Sequence, residues 1–251
     1  MDAASLTAIY QSSKDSVRFF VPLNNKRYLL SFDIPPDRIV EMDWWDSVQL
    51  THPSSPGTIL KIHCTPAQHN SFRAANDTNT ALWSSWYLEH LRPSHPAFRV
   101  FFAGDGGYQF HPSPSWPPPP PSSVQNQYTT TDNATATTNS HNSDDEASEY
   151  PPCPAFRQIR TRLGAPHLLL LPVSVGATYA YLRSFVPLPD WCNPFPRHSE
   201  GVTGANHMGP WDAVRVLRVM TDARRDEEDG AVAIVGRRTY EKGLSEEELC
   251  L

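Results

Sequence analysis

The sequence predicts an α/β domain that is interrupted by one long polar segment. Its first hundred residues hold several short apolar runs that are typical of strands, with short helical stretches between them. After residue 153 the pattern changes to helix, strand, helix and strand, in that order. Strands followed by alternating helices and strands are typical of a layered arrangement in which helices cover a sheet.

The first elements are a short helix and a strand. Leu6, Ile9 and Tyr10 are spaced for one face of a helix, so we predict a helix over 5–13. The run "VRFFVPL" predicts a strand over 17–23, because β-branched and aromatic residues favour strands and a proline follows them.

A set of strands is predicted next. We expect a short helix over 24–32 and strands over 38–42, 58–64, 81–90 and 98–104, the last two antiparallel. In the second of these strands, Leu60, Ile62 and Cys64 fall on one face. Lys61 and His63 fall on the other, as in a sheet with one covered face.

A helix is predicted over 153–164. Phe156, Ile159 and Leu163 line one face, and Gly164 suits the position that ends a helix. The strong periodicity indicates that this helix packs on apolar surface.

The last elements are a strand over 166–174, a helix over 209–223 and a strand over 231–235. The apolar run "LLLLPV" in the first of these indicates a buried strand. On the inner face of the helix we place the residues that recur every third position, Trp211, Val214, Leu217 and Met220.

The segment 111–152 differs in kind from the rest. It is dominated by Pro, Ser, Thr, Asn and acids, and it includes five consecutive prolines at 117–121. Such a composition buries too little apolar surface to offset the entropy lost on ordering. We interpret it as a disordered surface insertion, and the alternative is a docking site for an SH3 or WW module.

These patterns divide the chain into four parts. We predict the first part of a domain over 1–110, the insertion over 111–152 and the second part of the domain over 153–235. The second part contains an irregular insertion over 184–206, and a divergent tail follows over 236–251.

Composition limits the classes of partner. The formal net charge is −6 and the pI is near 5.9, which argues against nucleic acid, because phosphate binding needs clustered Lys and Arg. The start of the chain lacks a basic region followed by an apolar run, and no run reaches the length that spans a bilayer. We expect a cytoplasmic protein, with peripheral contact to membranes left open.

The four cysteines support the same expectation. No two of them are spaced as a metal or redox pair, which indicates free thiols in a reducing compartment. They are Cys64, Cys153, Cys192 and Cys250.

Three segments carry residues suited to metal or phosphate chemistry. "TPAQH" brings His69 after a strand, "FFAGDGGY" brings Asp105 after another, and "TGANHMGP" places His207 before a helix. Glycines beside an acid at a strand end allow a tight turn and a close approach to a ligand. A carboxylate can bridge two metal ions, and imidazole is an ordinary zinc ligand. Each signal alone also fits a turn or a surface residue.

The ordered series "FFVPL", "DWW", "CTPAQH", "LWSSW", "FFAGDGGY", "CPAFRQI" and "LLLLPV" resembles one family. It is the N-acylphosphatidylethanolamine-hydrolysing phospholipase D group of the metallo-β-lactamase superfamily. The resemblance runs from Met1 to Ile234 and is broken by the two insertions. Its most specific pieces are "TPAQH" and "FFAGDGGY".

The resemblance implies an αββα sandwich with two zinc ions at the strand ends. Asp105 matches the bridging aspartate, His69 matches a histidine of the first zinc site, and His207 matches a histidine near the substrate phosphate. It further implies a zinc-bound hydroxide that attacks phosphorus. The implied substrate is an N-acyl ethanolamine phospholipid, which is cleaved to N-acylethanolamine and phosphatidic acid.

The chain also departs from the family. The family's "HxHxDH" motif lies upstream of a segment that here begins at Met1, and Val235 stands where the last zinc-ligand histidine is expected. Two ligands, His69 and Asp105, are therefore placed, whereas catalytic zinc normally takes three protein ligands. Further ligands would have to come from histidines such as His63 or His198.

These departures leave the enzymatic status open. We expect an incomplete sandwich whose N-terminal part is missing and whose hydrolysis is impaired. One hypothesis is a zinc-dependent phosphodiesterase that acts on a phospholipid or at a membrane surface. The alternatives are a non-catalytic remnant that binds lipid or protein and an unrelated α/β protein. A homodimer is compatible with either of the first two.

Overall fold

A computed structural model describes residues 3–14, 16–51, 54, 57–69, 79–110, 150–175, 188–193, 207–221 and 232–239. Its α-helices are α1 (Ala3–Ser12), α2 (Lys26–Leu30), α3 (Ala155–Leu163) and α4 (Pro210–Thr221). Two 3₁₀-helices span Pro36–Arg38 and Asp190–Cys192. The strands are β1 (Phe19–Pro22), β2 (Ile39–Met42), β3 (Ser47–Thr51), β4 (Ile59–Pro66), β5 (Ser84–Arg92), β6 (His95–Phe102), β7 (Leu168–Val175) and β8 (Val232–Thr239).

The strands form two sheets. β1 and β2 pair in parallel, and the larger sheet has the order β3-β4-β5-β6-β7-β8. Pairing is antiparallel from β3 to β6 and parallel from β6 to β8. The predicted α/β class is confirmed, and the mixture of sheets and few helices is consistent with a metallo-β-lactamase-like fold.

Two strand predictions differ from the structure. β3 was not predicted, because its polar residues Ser47, Gln49 and Thr51 are exposed and only the alternate residues are apolar. β8 continues to Thr239, beyond the expected end at residue 235.

Helices α3 and α4 cover one face of the larger sheet and form the main core with it. Phe101 and Leu169 of the sheet are fully buried in this core, together with Ile159 of α3 and Met220 of α4. Burying one such side chain is worth roughly 1.5–3 kcal/mol. The apolar face predicted for α3 is confirmed, and Gly164 follows the helix with a φ of 90°.

The inner face of α4 was predicted in part wrongly. Ala213, Val216 and Met220 are buried, whereas Val214 is 38% exposed. A strict period of three drifts around a helix that has 3.6 residues per turn, so the inward face follows spacings of three and four instead. Leu217 is partly buried against the core, and the side chain of Trp211 lies outside what the structure describes.

The predicted insertion 111–152 lies mostly outside the described residues, but its two ends meet. The rings of Phe110 and Tyr150 lie 4.7 Å apart, and the Gln109 side chain donates a hydrogen bond to the Tyr150 carbonyl. The Cys153 amide donates to the Tyr108 carbonyl at 2.7 Å. These contacts hold the residues before the segment (108–110) against the residues after it (150–153).

A buried polar cluster joins three strands on the covered face. His63 Nε2 lies 2.8 Å from Glu89 Oε1, and Arg99 Nε lies 3.5 Å from Glu89 Oε2. Burial lowers the pKa of His63, outweighing the hydrogen bond to Glu89, which raises it. The neutral ring therefore donates Nε2–H to the carboxylate.

Three of the cysteines are unpaired thiols, as predicted. Burial raises the pKa of Cys64 to about 11, so this thiol is unreactive at neutral pH. Cys250 lies outside the described residues. Within the part of the chain that the structure describes, no helix is long and apolar enough to cross a bilayer.

Excision of residues 111–149 with a short Gly/Ser linker should leave the fold intact. Because the Phe110–Tyr150 contact already closes this loop, shortening it should raise the free energy of unfolding by roughly 1–2 kcal/mol through lower loop entropy. Urea denaturation measures this difference. Loss of a cooperative transition in the shortened chain would show that the segment supplies core contacts.

The burial of His63 predicts a dependence of stability on pH. Its pKa is lower in the folded chain than its ordinary value near 6.5 in the unfolded chain. The stability it contributes is therefore present above about pH 6.5 and is lost as the pH falls through the folded value. Urea denaturation from about pH 7.5 to about pH 5.5 should show a smaller loss in His63→Gln than in the wild type. The exposed His95→Gln serves as control, and equal slopes in all three proteins would contradict the prediction.

Candidate functional site

Three segments that are far apart in the sequence meet at one edge of the larger sheet. The Gly107 amide donates to the Gln68 carbonyl at 2.7 Å, which joins the loops that follow β4 and β6. The Met208 amide donates to the Gly106 carbonyl at 3.2 Å, which joins the second loop to the start of α4. Because these bonds are between backbone groups, they fix the chain paths that carry the candidate site residues.

Glycines in the loop after β6 allow this close approach. Gly104 has a φ of 66°, a conformation that costs an L-residue with a side chain roughly 1–2 kcal/mol. A Cβ atom at Gly106 would lie 3.3 Å from the Ala103 carbonyl oxygen and 3.7 Å from that of Gln68. The "GDGG" sequence therefore forms a tight turn against the loop that carries His69.

The structure brings all three predicted site residues together. The rings of His69 and His207 have centroids 5.1 Å apart with a 59° angle between their planes. His207 Nδ1 lies 3.0 Å from the backbone carbonyl oxygen of Asp105. His69 and His207 are partly buried, and Asp105 is exposed. Their assigned roles as zinc ligands and as a substrate contact stay predictions.

The contact with Asp105 determines which nitrogen of His207 carries a proton. A carbonyl oxygen only accepts hydrogen bonds, so Nδ1 must be the donor. In the neutral ring Nε2 then has the lone pair, and in the protonated ring Nε2 carries a second N–H. The contact also fixes the orientation of the ring, since it ties the side chain to the backbone of another loop.

Two buried hydroxyl groups beneath the site were not predicted. Thr65 Oγ1 and Ser85 Oγ lie 2.8 Å apart, and the Ser85 hydroxyl donates to the Pro66 carbonyl at 2.8 Å. Both residues are almost fully buried at the ends of β4 and β5. These hydrogen bonds hold the end of β4, from which the loop to His69 begins, against the start of β5. The signal in the sequence is "LWSSW", where serines interrupt an apolar run.

The metal-binding side chains of the described residues do not form a complete zinc site. Across the described ranges, no three His, Cys, Asp or Glu side chains are grouped so that they can hold one metal ion. His63, which the sequence offered as a further ligand, is buried on the covered face and bonded to Glu89, while His198 lies outside the described residues. Members of the superfamily typically bind metal, but the described residues give at most part of such a site.

The turn conformation at Gly104 can be tested by substitution. Gly104→Ala should lower the free energy of unfolding by roughly 1–2 kcal/mol, because alanine is strained at a positive φ. Gly209→Ala is the matched control, since a Cβ there meets nothing within 4 Å. Urea denaturation compares the two variants, and equal stability would mean that the loop after β6 does not need this conformation.

Comparison with known proteins gives matches over part of the chain. Residues 3–113 match the beta-lactamase superfamily domain. An uncharacterized protein of Mycobacterium tuberculosis is 41% identical over 90 residues, which are 36% of this chain and 21% of that protein. The mitochondrial N-acyl-phosphatidylethanolamine-hydrolyzing phospholipase D of Saccharomyces cerevisiae is 38% identical over 99 residues, 39% of this chain and 19% of that protein.

These curated relatives are much longer than the part they share with this chain. The matched region spans about a fifth of their length, 21% and 19%. Among solved structures, a mutant of the CmlA beta-hydroxylase aligns over 81% of this chain and 29% of its own, with 11% identity and a TM-score of 0.38. The residues 3–113 that match the beta-lactamase superfamily domain include His69 and Asp105.

Proposed function

We propose that the chain is a phosphodiesterase-type hydrolase related to N-acylphosphatidylethanolamine-hydrolysing phospholipase D, with impaired hydrolysis. Its substrate class would be N-acyl ethanolamine phospholipids, which such an enzyme cleaves to N-acylethanolamine and phosphatidic acid. The 38% identity to the yeast phospholipase supports this proposal. The partner would be the phospholipid itself or a membrane surface that the protein reaches from the cytoplasm.

The observation that carries the proposal is the meeting of His69, Asp105 and His207. The imidazole of His207 is held by the Asp105 carbonyl at 3.0 Å, and the His69 ring lies beside it. When protonated, His207 keeps this bond and gains an N–H at Nε2, which can donate to a phosphate oxygen. The pre-oriented ring would thus recognise the phosphodiester of the lipid headgroup.

The small number of candidate metal ligands among the described residues supports impaired hydrolysis. The two candidate ligands, His69 and Asp105, are one short of the three protein ligands that a catalytic zinc ion normally takes. We therefore assign recognition of the headgroup, and not a metal-dependent step, to the described residues. Ligands from other residues of the protein would restore hydrolysis.

The same finding favours a second candidate function. Described residues that have the site geometry but no grouped set of three metal ligands fit a non-catalytic module that binds lipid or protein. The two candidates differ in whether they select the N-acyl ethanolamine headgroup.

Vesicles of phosphatidylcholine, with and without N-acylphosphatidylethanolamine, test the proposal. We expect the chain to co-sediment preferentially with the vesicles that contain the N-acyl lipid. His207→Ala should weaken this binding about tenfold through loss of a charge-assisted hydrogen bond. His95→Ala, at the exposed start of β6, should leave it unchanged. Mass spectrometry should find N-acylethanolamine at the level of a protein-free blank, with or without added zinc.

Two results would contradict this account in different ways. Zinc-dependent release of N-acylethanolamine that is lost in His69→Ala and Asp105→Asn would refute impaired hydrolysis and establish an active enzyme. Equal binding of the folded chain to both kinds of vesicle would refute the substrate class and leave the binding module.

A further inference from the structure

Two consecutive arginines lie at the edge of the larger sheet that carries the candidate site. β6, β7 and β8 run parallel, so their carboxyl ends meet at one edge, and the loop that carries Asp105 leaves β6 there. β8 continues to Thr239, and Arg237 and Arg238 are among its last residues. The extension of β8 beyond residue 235 therefore brings two cationic residues to the edge where the candidate site lies.

Strand register places the arginines level with the loop after β6. Phe102 pairs with Leu170, and Leu170 pairs with Ile234. Asp105 follows Phe102 by three residues, and Arg237 follows Ile234 by three residues. β6 and β8 are two interstrand spacings apart, which is roughly 10 Å between backbones. A phosphate group bound between the loop and the end of β8 would lie within range of a long arginine side chain.

The two arginines belong to opposite faces of the sheet. Arg237 pairs with Val173, and Arg238, as the next residue of the strand, falls on the other face. Val173 is buried in the main core with Met208 and residues of α4, so register assigns Arg237 to the face that α4 covers. His207 directly precedes Met208 in the segment that begins this helix. Arg237 and the segment that carries His207 thus lie at the same edge and on the same face.

The candidate site needs positive charge to hold a phosphodiester. The carboxylate of Asp105 is exposed at the same edge and repels a nearby anion, and the net charge of the chain, −6, acts in the same direction. Imidazole groups are only partly protonated at neutral pH. Arginine is always protonated, and its planar guanidinium group donates paired hydrogen bonds to phosphate oxygens. Two arginines at this edge therefore supply charge that histidines alone do not.

The headgroup proposed above has a feature that such a charge would recognise. N-acylation converts the ammonium group of ethanolamine into a neutral amide, so the negative charge of the phosphodiester is not balanced within the headgroup. In phosphatidylcholine the quaternary ammonium group balances this charge. A cationic site therefore favours the N-acyl headgroup over phosphatidylcholine by electrostatic attraction.

We propose that Arg237 and Arg238 form a binding site for a phosphate anion and select headgroups whose phosphodiester has no cation beside it. The juxtaposition that carries this inference is an arginine pair at the carboxyl end of β8, level with the loop after β6. The inference rests on the proposed recognition of a phospholipid headgroup and adds the residues that supply its charge. The shared chemistry is a phosphate anion, whether it belongs to a lipid or is free in solution.

Co-sedimentation with three kinds of vesicle tests the arginine site. They are phosphatidylcholine alone, phosphatidylcholine with N-acylphosphatidylethanolamine, and phosphatidylcholine with phosphatidylglycerol, an anionic lipid without the N-acyl amide. We expect the wild type to prefer both anionic kinds, and Arg237→Gln with Arg238→Gln to weaken binding to both about tenfold. Raising NaCl from about 50 mM to about 500 mM should remove most of the preference of the wild type, because salt screens the attraction.

Arg157→Gln with Arg218→Gln is the matched control. Both residues are exposed on helices, and this double variant changes the net charge by the same amount as the variant of the arginine site. It should keep the preference of the wild type, as should Arg237→Lys with Arg238→Lys, because the local charge remains. If the double glutamine variant does not fold, each single glutamine variant should weaken binding to anionic vesicles about threefold.

Two results of the vesicle experiment would overturn the inference. An equal loss of binding in the control and in the site variant would assign the preference to net charge alone. A preference for N-acyl lipid that persists in the folded glutamine variants would refute the arginine site and leave recognition of the headgroup in place.

Thermal unfolding separates the arginine site from the lipid chemistry. Inorganic phosphate should raise the Tm of the wild type above its value in chloride of equal ionic strength, because a bound anion stabilises the folded chain. The rise should be absent in Arg237→Gln with Arg238→Gln. An equal rise in both proteins reports exclusion of phosphate from the protein surface and counts as no rise.

The two experiments together distinguish the sources of the anion. A rise in Tm without preference among the vesicles would retain the anion site, with free phosphate as its ligand, and refute the lipid headgroup. Preference for anionic vesicles without a rise would assign the site to lipid. No rise together with equal binding to all vesicles would overturn the arginine site.

Discussion

The hydrogen bond from the Gly107 amide to the Gln68 carbonyl, 2.7 Å long, is the constraint on which the candidate site depends. This bond joins the loops that follow β4 and β6. A second hydrogen bond, from the Met208 amide to the Gly106 carbonyl, joins the loop after β6 to the segment that begins α4. The sheet places these loops at a common edge, and the glycines let their backbones approach. The ring centroids of His69 and His207 lie 5.1 Å apart because these hydrogen bonds hold together the segments that carry the two residues.

Much of the fold follows from local pattern in the sequence. α3 was predictable because a strong helical period coincides with Gly164 at its end. β5 and β6 were predictable because their aromatic and apolar residues favour strands, although the predicted ranges 81–90 and 98–104 differ from Ser84–Arg92 and His95–Phe102. β3 was not predictable, since half of its residues are polar and its pairing with β4 is a long-range contact. The inner face of α4 was misassigned at Val214 because a strict period of three drifts around a helix that has 3.6 residues per turn.

The sequence names candidate residues for the site, and their roles stay predictions. Resemblance to a family singled out His69, Asp105 and His207, but no pattern in the sequence indicates that His207 bonds to the Asp105 carbonyl rather than to its carboxylate. The hydroxyl pair of Thr65 and Ser85 was missed because hydrogen bonds between strands depend on register, which a single sequence does not determine.

The described residues bring the rings of His69 and His207 together with the backbone of Asp105, and no three of the described His, Cys, Asp or Glu side chains are grouped so that they can hold one metal ion. The zinc content of the folded chain, measured by elemental analysis after purification without chelator and dialysis against zinc, tests whether a metal site is complete. We expect well under one tightly bound zinc ion per chain, because a structural or catalytic site normally needs at least three protein ligands and the described residues group no three of them. A content near two, lost on His69→Ala, would refute this and show that further ligands come from other residues of the protein.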